Sequence, residues 1–221
     1  MKKKIRIAIV GVGNCASSLV QGIYFYKKSK KTIGLMHPSI KGYKVGDIEI
    51  VAAFDIDKRK VGKDVSEAIF SLPNNTKIFQ KEIPKLNVKV LRGPTLDGVS
   101  EDMKEYNKEF KFVENKQKPI DVVEVLKKVQ PDMLINYLPV GSEKATRHYA
   151  DCCLKAGVSL INAIPVFITS KPEYSSKFAK TNLICVGDDI KSQVGATIVH
   201  RVLTNQEPNR SKLRGMLVQN S

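Results

Sequence analysis

No stretch of this 221-residue chain approaches the roughly 18 consecutive apolar residues that a membrane-spanning helix requires. The basic start, Met1-Lys2-Lys3-Lys4, leads into a short apolar run that meets a glycine turn at Gly11. That is too short for a secretory signal, so a cytoplasmic protein with no membrane partner is expected. Cysteine is scarce: Cys15, Cys152, Cys153 and Cys185 show no CxxC spacing, which argues against a zinc knuckle or a disulfide framework. Three histidines (His37, His148, His200) form no HExxH or HxH pattern, so no metal is expected. Neither Ser17 nor Ser18 sits in a GxSxG elbow, which argues against a hydrolase. The glycines and prolines follow no period, and no fixed-length repeat is present. Acidic residues are few, 22 against 37 Lys and Arg, giving a formal charge of +15. The lysines are dispersed, without an RNP-like aromatic motif or a long basic tract. Nucleic acid is therefore not expected as a partner, whereas a phosphorylated substrate fits the charge.

What is present is the alternation of an α/β domain. Residues 5–10, Ile-Arg-Ile-Ala-Ile-Val, form a nearly continuous β-branched run, the pattern of a strand buried on both faces of a parallel sheet. Gly11-Val12-Gly13-Asn14-Cys15-Ala16 follows at once, and then apolar residues at helical spacing. In that strand–turn–helix context the pattern predicts a dinucleotide-binding turn. Gly11 permits the tight turn, Gly13 lets backbone approach a pyrophosphate, and Ala16 allows close helix packing. Free N–H groups at the helix start then receive phosphate. Residues 27–45 read as a loop insertion, and residues 47–54 as the second strand, ending in Asp55-Ile56-Asp57. Asp55 stands where a ribose hydroxyl is accepted in NAD-binding folds. The nearby Lys58-Arg59-Lys60 leaves NADP open, although the strand-terminal carboxylate makes NAD the better fit; the alternative is that Asp55 merely caps a helix near residues 61–64. Further strands are expected over 131–139, 157–163 and 183–186, with helices over 100–112, 119–129, the residues after Ser142, and those after Thr197. The fold class is α/β, a doubly wound and mostly parallel sheet.

Ligands in such sheets bind at the carboxyl ends of the strands. The most charged of these turns is Gly187-Asp188-Asp189-Ile190-Lys191-Ser192. Lys191 is suited to stabilising phosphate or enolate charge, with Asp188 or Asp189 orienting it and Ser192 donating a hydrogen bond. The same residues also fit a plain helix start with Asp189 as its cap. Cys15, at a helix N-terminus, reads as a pocket-lining residue rather than a nucleophile.

Four segments in order carry a resemblance. They are residues 9–18 (Ile9 through Ser18), Gly93-Pro94-Thr95-Leu96-Asp97-Gly98, Tyr137-Leu138-Pro139-Val140-Gly141-Ser142, and Gly187-Asp188-Asp189-Ile190-Lys191-Ser192-Gln193-Val194-Gly195-Ala196-Thr197. Together they closely resemble bacterial, actinobacterial-like myo-inositol-1-phosphate synthase, also called inositol-3-phosphate synthase. The resemblance implies NAD-dependent isomerisation of D-glucose 6-phosphate to 1L-myo-inositol 1-phosphate, by oxidation, enolisation, intramolecular aldol closure and reduction. It places the chain in inositol and phospholipid biosynthesis. It also implies that Lys191 lies at the active site and that Asp64, Tyr149 and Ser192 lie around NAD. Family members are longer and carry a second domain that completes the pocket and builds a homotetramer. The expectation is therefore a Rossmann-type domain over 1–204 and a tail, 205–221, that starts a truncated catalytic domain. Two alternatives stand beside it: a non-catalytic NAD-binding chain or half of a split enzyme, and an ordinary NAD(P)-dependent sugar dehydrogenase.

Overall fold

Short apolar runs separated by helix-forming segments leave each strand little choice but to pair in parallel with a distant one. The computed structural model describes residues 4–29, 32–99, 107 and 111–190. Except for Ile190, these belong to one compact unit, Met1–Asp189. Its strands are β1 (Ile5–Val10), β2 (Ile48–Asp55), β3 (Val90–Arg92), β4 (Met133–Asn136), β5 (Ser159–Asn162) and β6 (Cys185–Val186). Its helices are α1 (Asn14–Lys28), α2 (Val65–Ala68), α3 (Val122–Val129), α4 (Glu143–Ala156) and α5 (Pro172–Lys180). All strand pairs are parallel, in the order β3-β2-β1-β4-β5-β6.

Alternation along β1 sends Ile7 and Ile9 to one face and Ala8 and Val10 to the other. The first face is covered by Val20 and Ile23 of α1 and by Val65 and Ala68 of α2. The second is covered by Leu126 of α3, Tyr149 and Ala150 of α4, and Tyr174 and Phe178 of α5. The two-sided burial expected for residues 5–10 is therefore observed, and the sheet is doubly wound. One irregularity aligns β2: Ile7 pairs with Ile50 but Ala8 pairs with Ala52. The extra residue, Val51, lets Ile50 and Ala53 share a face.

Several boundaries differ from expectation. The helix expected to begin near residue 61 starts at Val65 and is only four residues long. β3, with three residues, is shorter than any periodicity can reveal, while the strand expected over 183–186 is reduced to Cys185–Val186. α5 was not expected, although Pro172 in its first turn and Lys177 and Lys180 in its last turn mark its ends. Most of the helix expected over 100–112, the helix after Thr197, the boundary at 204 and the tail 205–221 lie outside the described residues. Among the described residues no helix is long and apolar enough to cross a membrane.

Candidate functional site

The glycine turn sits at the carboxyl end of β1, between the ends of β2 and β4. Gly11 has φ +85°, and a Cβ there would strike the carbonyl of Tyr137. Its N–H donates to the carbonyl of Phe54 (2.9 Å), so it is wedged between two neighbouring strands. Only glycine combines that φ with that closeness. Gly13 differs. Its φ is −104°, and a Cβ there would meet nothing within 4 Å. No neighbouring atom within the protein demands glycine there, and the space beside its backbone is open. α1 has no side-chain cap and no acid in its first turn, while Lys27 and Lys28 close its other end. Among the described residues its first N–H groups meet no side-chain cap, an arrangement open to an external acceptor. Asn14 and Cys15 are exposed in that first turn, and Ala16 is fully buried beneath it. The Asn14 carboxamide oxygen accepts the N–H of Asn75 (2.9 Å), tying the turn to the loop after Pro73.

Asp55 closes β2 beside this turn. Its Oδ2 accepts the N–H of Val12 (2.7 Å), and its Oδ1 accepts the N–H groups of Ile56 (2.7 Å) and Asp57 (2.8 Å). It caps no helix. The opposite side of the same Val12 is met by Lys60, whose Nζ donates to the Val12 carbonyl at 2.7 Å and is 3 % exposed. Burial lowers the Lys60 pKa, and the charges of Asp55 and Asp57 only partly offset this. Arg59 is held by Asp57 through Nε (3.0 Å) and Nη2 (2.6 Å). Neither Arg59 nor Lys60 is thus left as an unengaged cation for a 2′-phosphate.

Asp64 requires a correction. It caps α2 through Ser66, and its carboxylate also accepts the N–H groups of Leu86 (3.0 Å) and Val88 (3.1 Å). Those amides precede β3, so Asp64 lies toward the amino ends of the strands, away from the glycine turn. Burial alone would raise its pKa, but these hydrogen bonds hold it below the ordinary value. Asp64 fastens the segment leading into β3; it does not line the turn.

The remaining strand ends are tied together by polar side chains. After β3, the buried Arg92 donates to Thr95 (2.9 Å), Glu114 (2.7 Å) and the Asn115 carbonyl (3.1 Å), which shapes the Gly93–Gly98 loop. Asp97 in that loop accepts the N–H groups of Lys144 (2.6 Å) and Ala145 (2.9 Å) at the start of α4. Tyr149, 2 % exposed, packs on Phe54, and its hydroxyl abuts Gly93. Burial holds its phenol well above the ordinary pKa, so it stays neutral. Tyr149 forms the floor under this loop, not its surface. The last residues of β4 and β5, Asn136 and Asn162, are both buried and hydrogen-bonded side chain to side chain (2.9 Å). Asn162 in turn donates to Asp188 (2.8 Å), whose carboxylate also accepts the N–H groups of Ile168, Thr169 and Ser170.

Asp188 thus fastens the 168–170 loop to the end of β6, a role not foreseen for it. Asp189 follows with φ +76°, and Lys191 and Ser192 lie outside the described residues. Arg92, Asn136 and Asn162 were missed, and Lys60 was read only as one of the basic residues that leave NADP open. The signal for the two asparagines was legible: each is the single polar residue closing an apolar strand. Among the described residues no three His, Cys, Asp or Glu side chains gather where they could hold a metal.

An all-parallel sheet of this order, with a glycine turn after the central strand and a carboxylate closing its neighbour, defines a Rossmann-type α/β domain. A scan against models of known families finds no match. Single relatives do match. Inositol-3-phosphate synthase of Mycolicibacterium smegmatis is 52% identical over 203 residues, covering 90% of this chain and 54% of that protein. Those of Mycobacterium tuberculosis (51%) and Corynebacterium glutamicum (48%) match with the same coverage. Among solved structures, the crystal structure of Ari2 superimposes with a TM-score of 0.79 at 31% identity, over 94% of this chain and 60% of that one. A myo-inositol-1-phosphate synthase-related protein from Thermotoga maritima shares the fold, with a TM-score of 0.65 at 21% identity over 88% and 56% of the two chains. Over 90% of its length, the chain is about half identical to proteins named inositol-3-phosphate synthase. It spans about half the length of the curated relatives it matches.

Proposed function

We propose that the glycine turn binds NAD and that the chain provides the cofactor-binding part of an enzyme isomerising D-glucose 6-phosphate to 1L-myo-inositol 1-phosphate. The observation that carries this reading is the pairing of an open Gly13 with Asp55 at the next strand end, in a chain half identical to synthases of that name. In this reading the N–H groups opening α1 hold the pyrophosphate, and the exposed Asn14 and Cys15 border it. Asp55 already accepts three backbone N–H groups, and its remaining lone pair would accept a hydrogen bond from a ribose hydroxyl. Asp55 at the end of β2 favours NAD over NADP, with Arg59 and Lys60 engaged and Lys58 left exposed. When bound, NAD supplies a hydride acceptor at the sugar and returns the hydride after ring closure. Lys191 is assigned to the negative charge that develops on substrate oxygen or phosphate, Ser192 to the cofactor, and Asp189 to orienting Lys191. Assembly into a homotetramer and a cytoplasmic location belong to the same proposal.

Calorimetric titration with NAD and NADP, followed by incubation with glucose 6-phosphate, tests the reading. NAD binding and inositol phosphate formation without net NADH are expected of the synthase. Binding without turnover would assign this chain the cofactor site alone, and stoichiometric NADH would indicate a sugar dehydrogenase. A chain that binds neither nucleotide overturns the reading.

A further inference from the structure

A lysine that is 3 % exposed is costly to keep inside a protein unless its charge is used. Lys60 reaches across from the segment after β2 to the carbonyl of Val12 (2.7 Å), with a longer contact to the carbonyl of Pro73 (3.4 Å). The Val12 carbonyl and the Gly13 N–H belong to one peptide group, and the Gly13 N–H has no acceptor among the described residues. An ammonium bound to the carbonyl end of a peptide draws electron density toward oxygen and makes its N–H a stronger donor. The preceding peptide is held by Asp55 at the Val12 N–H (2.7 Å). Two opposite charges therefore hold the two sides of one residue and set the plane of the next amide.

We infer that Lys60 is a positioning residue for the cofactor's phosphates, acting through the Val12–Gly13 peptide rather than by touching the ligand. The inference rests on the NAD reading of the turn and adds to it the group that orients the turn's phosphate-binding amide. The charges that face Lys60 are Asp55 and Asp57, which favour its protonated form, and Arg59, which opposes it; burial lowers its pKa. The Lys60 terminal nitrogen donates to both the Val12 and Pro73 carbonyls, and no apolar residue of similar length could replace it.

The test compares the unsubstituted chain with Lys60→Met and Lys60→Arg, titrated calorimetrically with NAD, ADP-ribose and adenosine. Lys60→Met is expected to weaken the two diphosphate ligands by about tenfold or more, the scale of a lost hydrogen bond to a charged group. Adenosine binding should stay unchanged, because adenosine carries no phosphate. Lys60→Arg should restore most of the loss. If Lys60→Met does not fold, judged by circular dichroism, Lys60→Gln, which keeps a donor but no charge, is compared in the same way. Equal weakening of adenosine and NAD marks a merely structural role and overturns the inference. Undiminished NAD binding by the neutral variant overturns it as well, as does an arginine variant no better than methionine. Failure of the unsubstituted chain to bind NAD overturns the site reading itself, an outcome distinct from these.

Discussion

Asp55 accepts the backbone N–H of Val12 at 2.7 Å, so the carboxylate that closes β2 holds the middle of the turn that follows β1. Its other oxygen accepts the N–H groups of Ile56 and Asp57. An asparagine has one acceptor oxygen where this carboxylate uses two, and its NH2 would face a donor. Asp55→Asn is expected to cost about 1–3 kcal/mol of stability and to weaken NAD further by loosening the turn. Urea midpoints and calorimetric affinities on the same preparations check both effects.

The two glycines of the turn should fail in opposite ways. Gly11→Ala meets both a φ of +85° and the Tyr137 carbonyl, and should lose about 1–3 kcal/mol of stability. Gly13→Ala, at φ −104° with open space around its Cβ, should unfold within about 0.5 kcal/mol of the unsubstituted chain. Its loss should appear in NAD affinity instead, at about tenfold or more. A Gly13→Ala chain that binds NAD normally would show that the pyrophosphate lies elsewhere.

Asp188 links stability to pH. Burial by itself would raise its pKa, but hydrogen bonds from Asn162 and from the amides of Thr169, Ser170 and Ile168 outweigh this and hold it below 3.8. With the folded pKa below the unfolded one, the unfolded chain takes up the proton first on acidification. The stabilisation is complete above the unfolded pKa and is lost as pH falls through the folded one. Asp188→Asn should destabilise the chain at pH 7 by about 1–3 kcal/mol. The gap between variant and unsubstituted chain should narrow below about pH 4, as followed by urea unfolding across that range.

Asp97 is expected to act as a helix cap supplied from another part of the fold. It accepts the N–H groups of Lys144 and Ala145, while Ser142, at the cap position of α4, makes no side-chain capping bond. Asp97→Ala should cost about 1 kcal/mol, measurable as a shift in thermal midpoint. Asp97→Ser, which keeps one acceptor, should recover part of that loss.

How much of this was legible depended on range. The strand over Ile5–Val10 and the turn after it could be read directly, because an apolar run and two glycines act on their immediate neighbours. α3 was visible from its 3.6-residue spacing, but its start was expected at residue 119 rather than after Asp121, which caps Val123 and Glu124. β3 escaped because three residues carry no period, whereas β6 lies within the strand expected over 183–186. Asp64, placed around the cofactor only by the family resemblance, is brought beside Leu86 and Val88 because the chain turns back there. The cap that Asp97 provides to α4 lies 47 residues away along the chain, and no local pattern announces it.

Local chemistry alone determined that this chain builds a parallel sheet and turns sharply at Gly11. Burial periodicity and the steric freedom of glycine need no distant partner. Only the tertiary structure decided which charges surround that turn. The meeting of Asp55 and Lys60 on Val12, and the Asn136–Asn162–Asp188 chain across three strand ends, depend on the register between strands far apart in sequence. Register is fixed by the whole sheet closing on its two hydrophobic faces. A carboxylate or an ammonium acquires its role there from what the fold sets within about 3 Å of it.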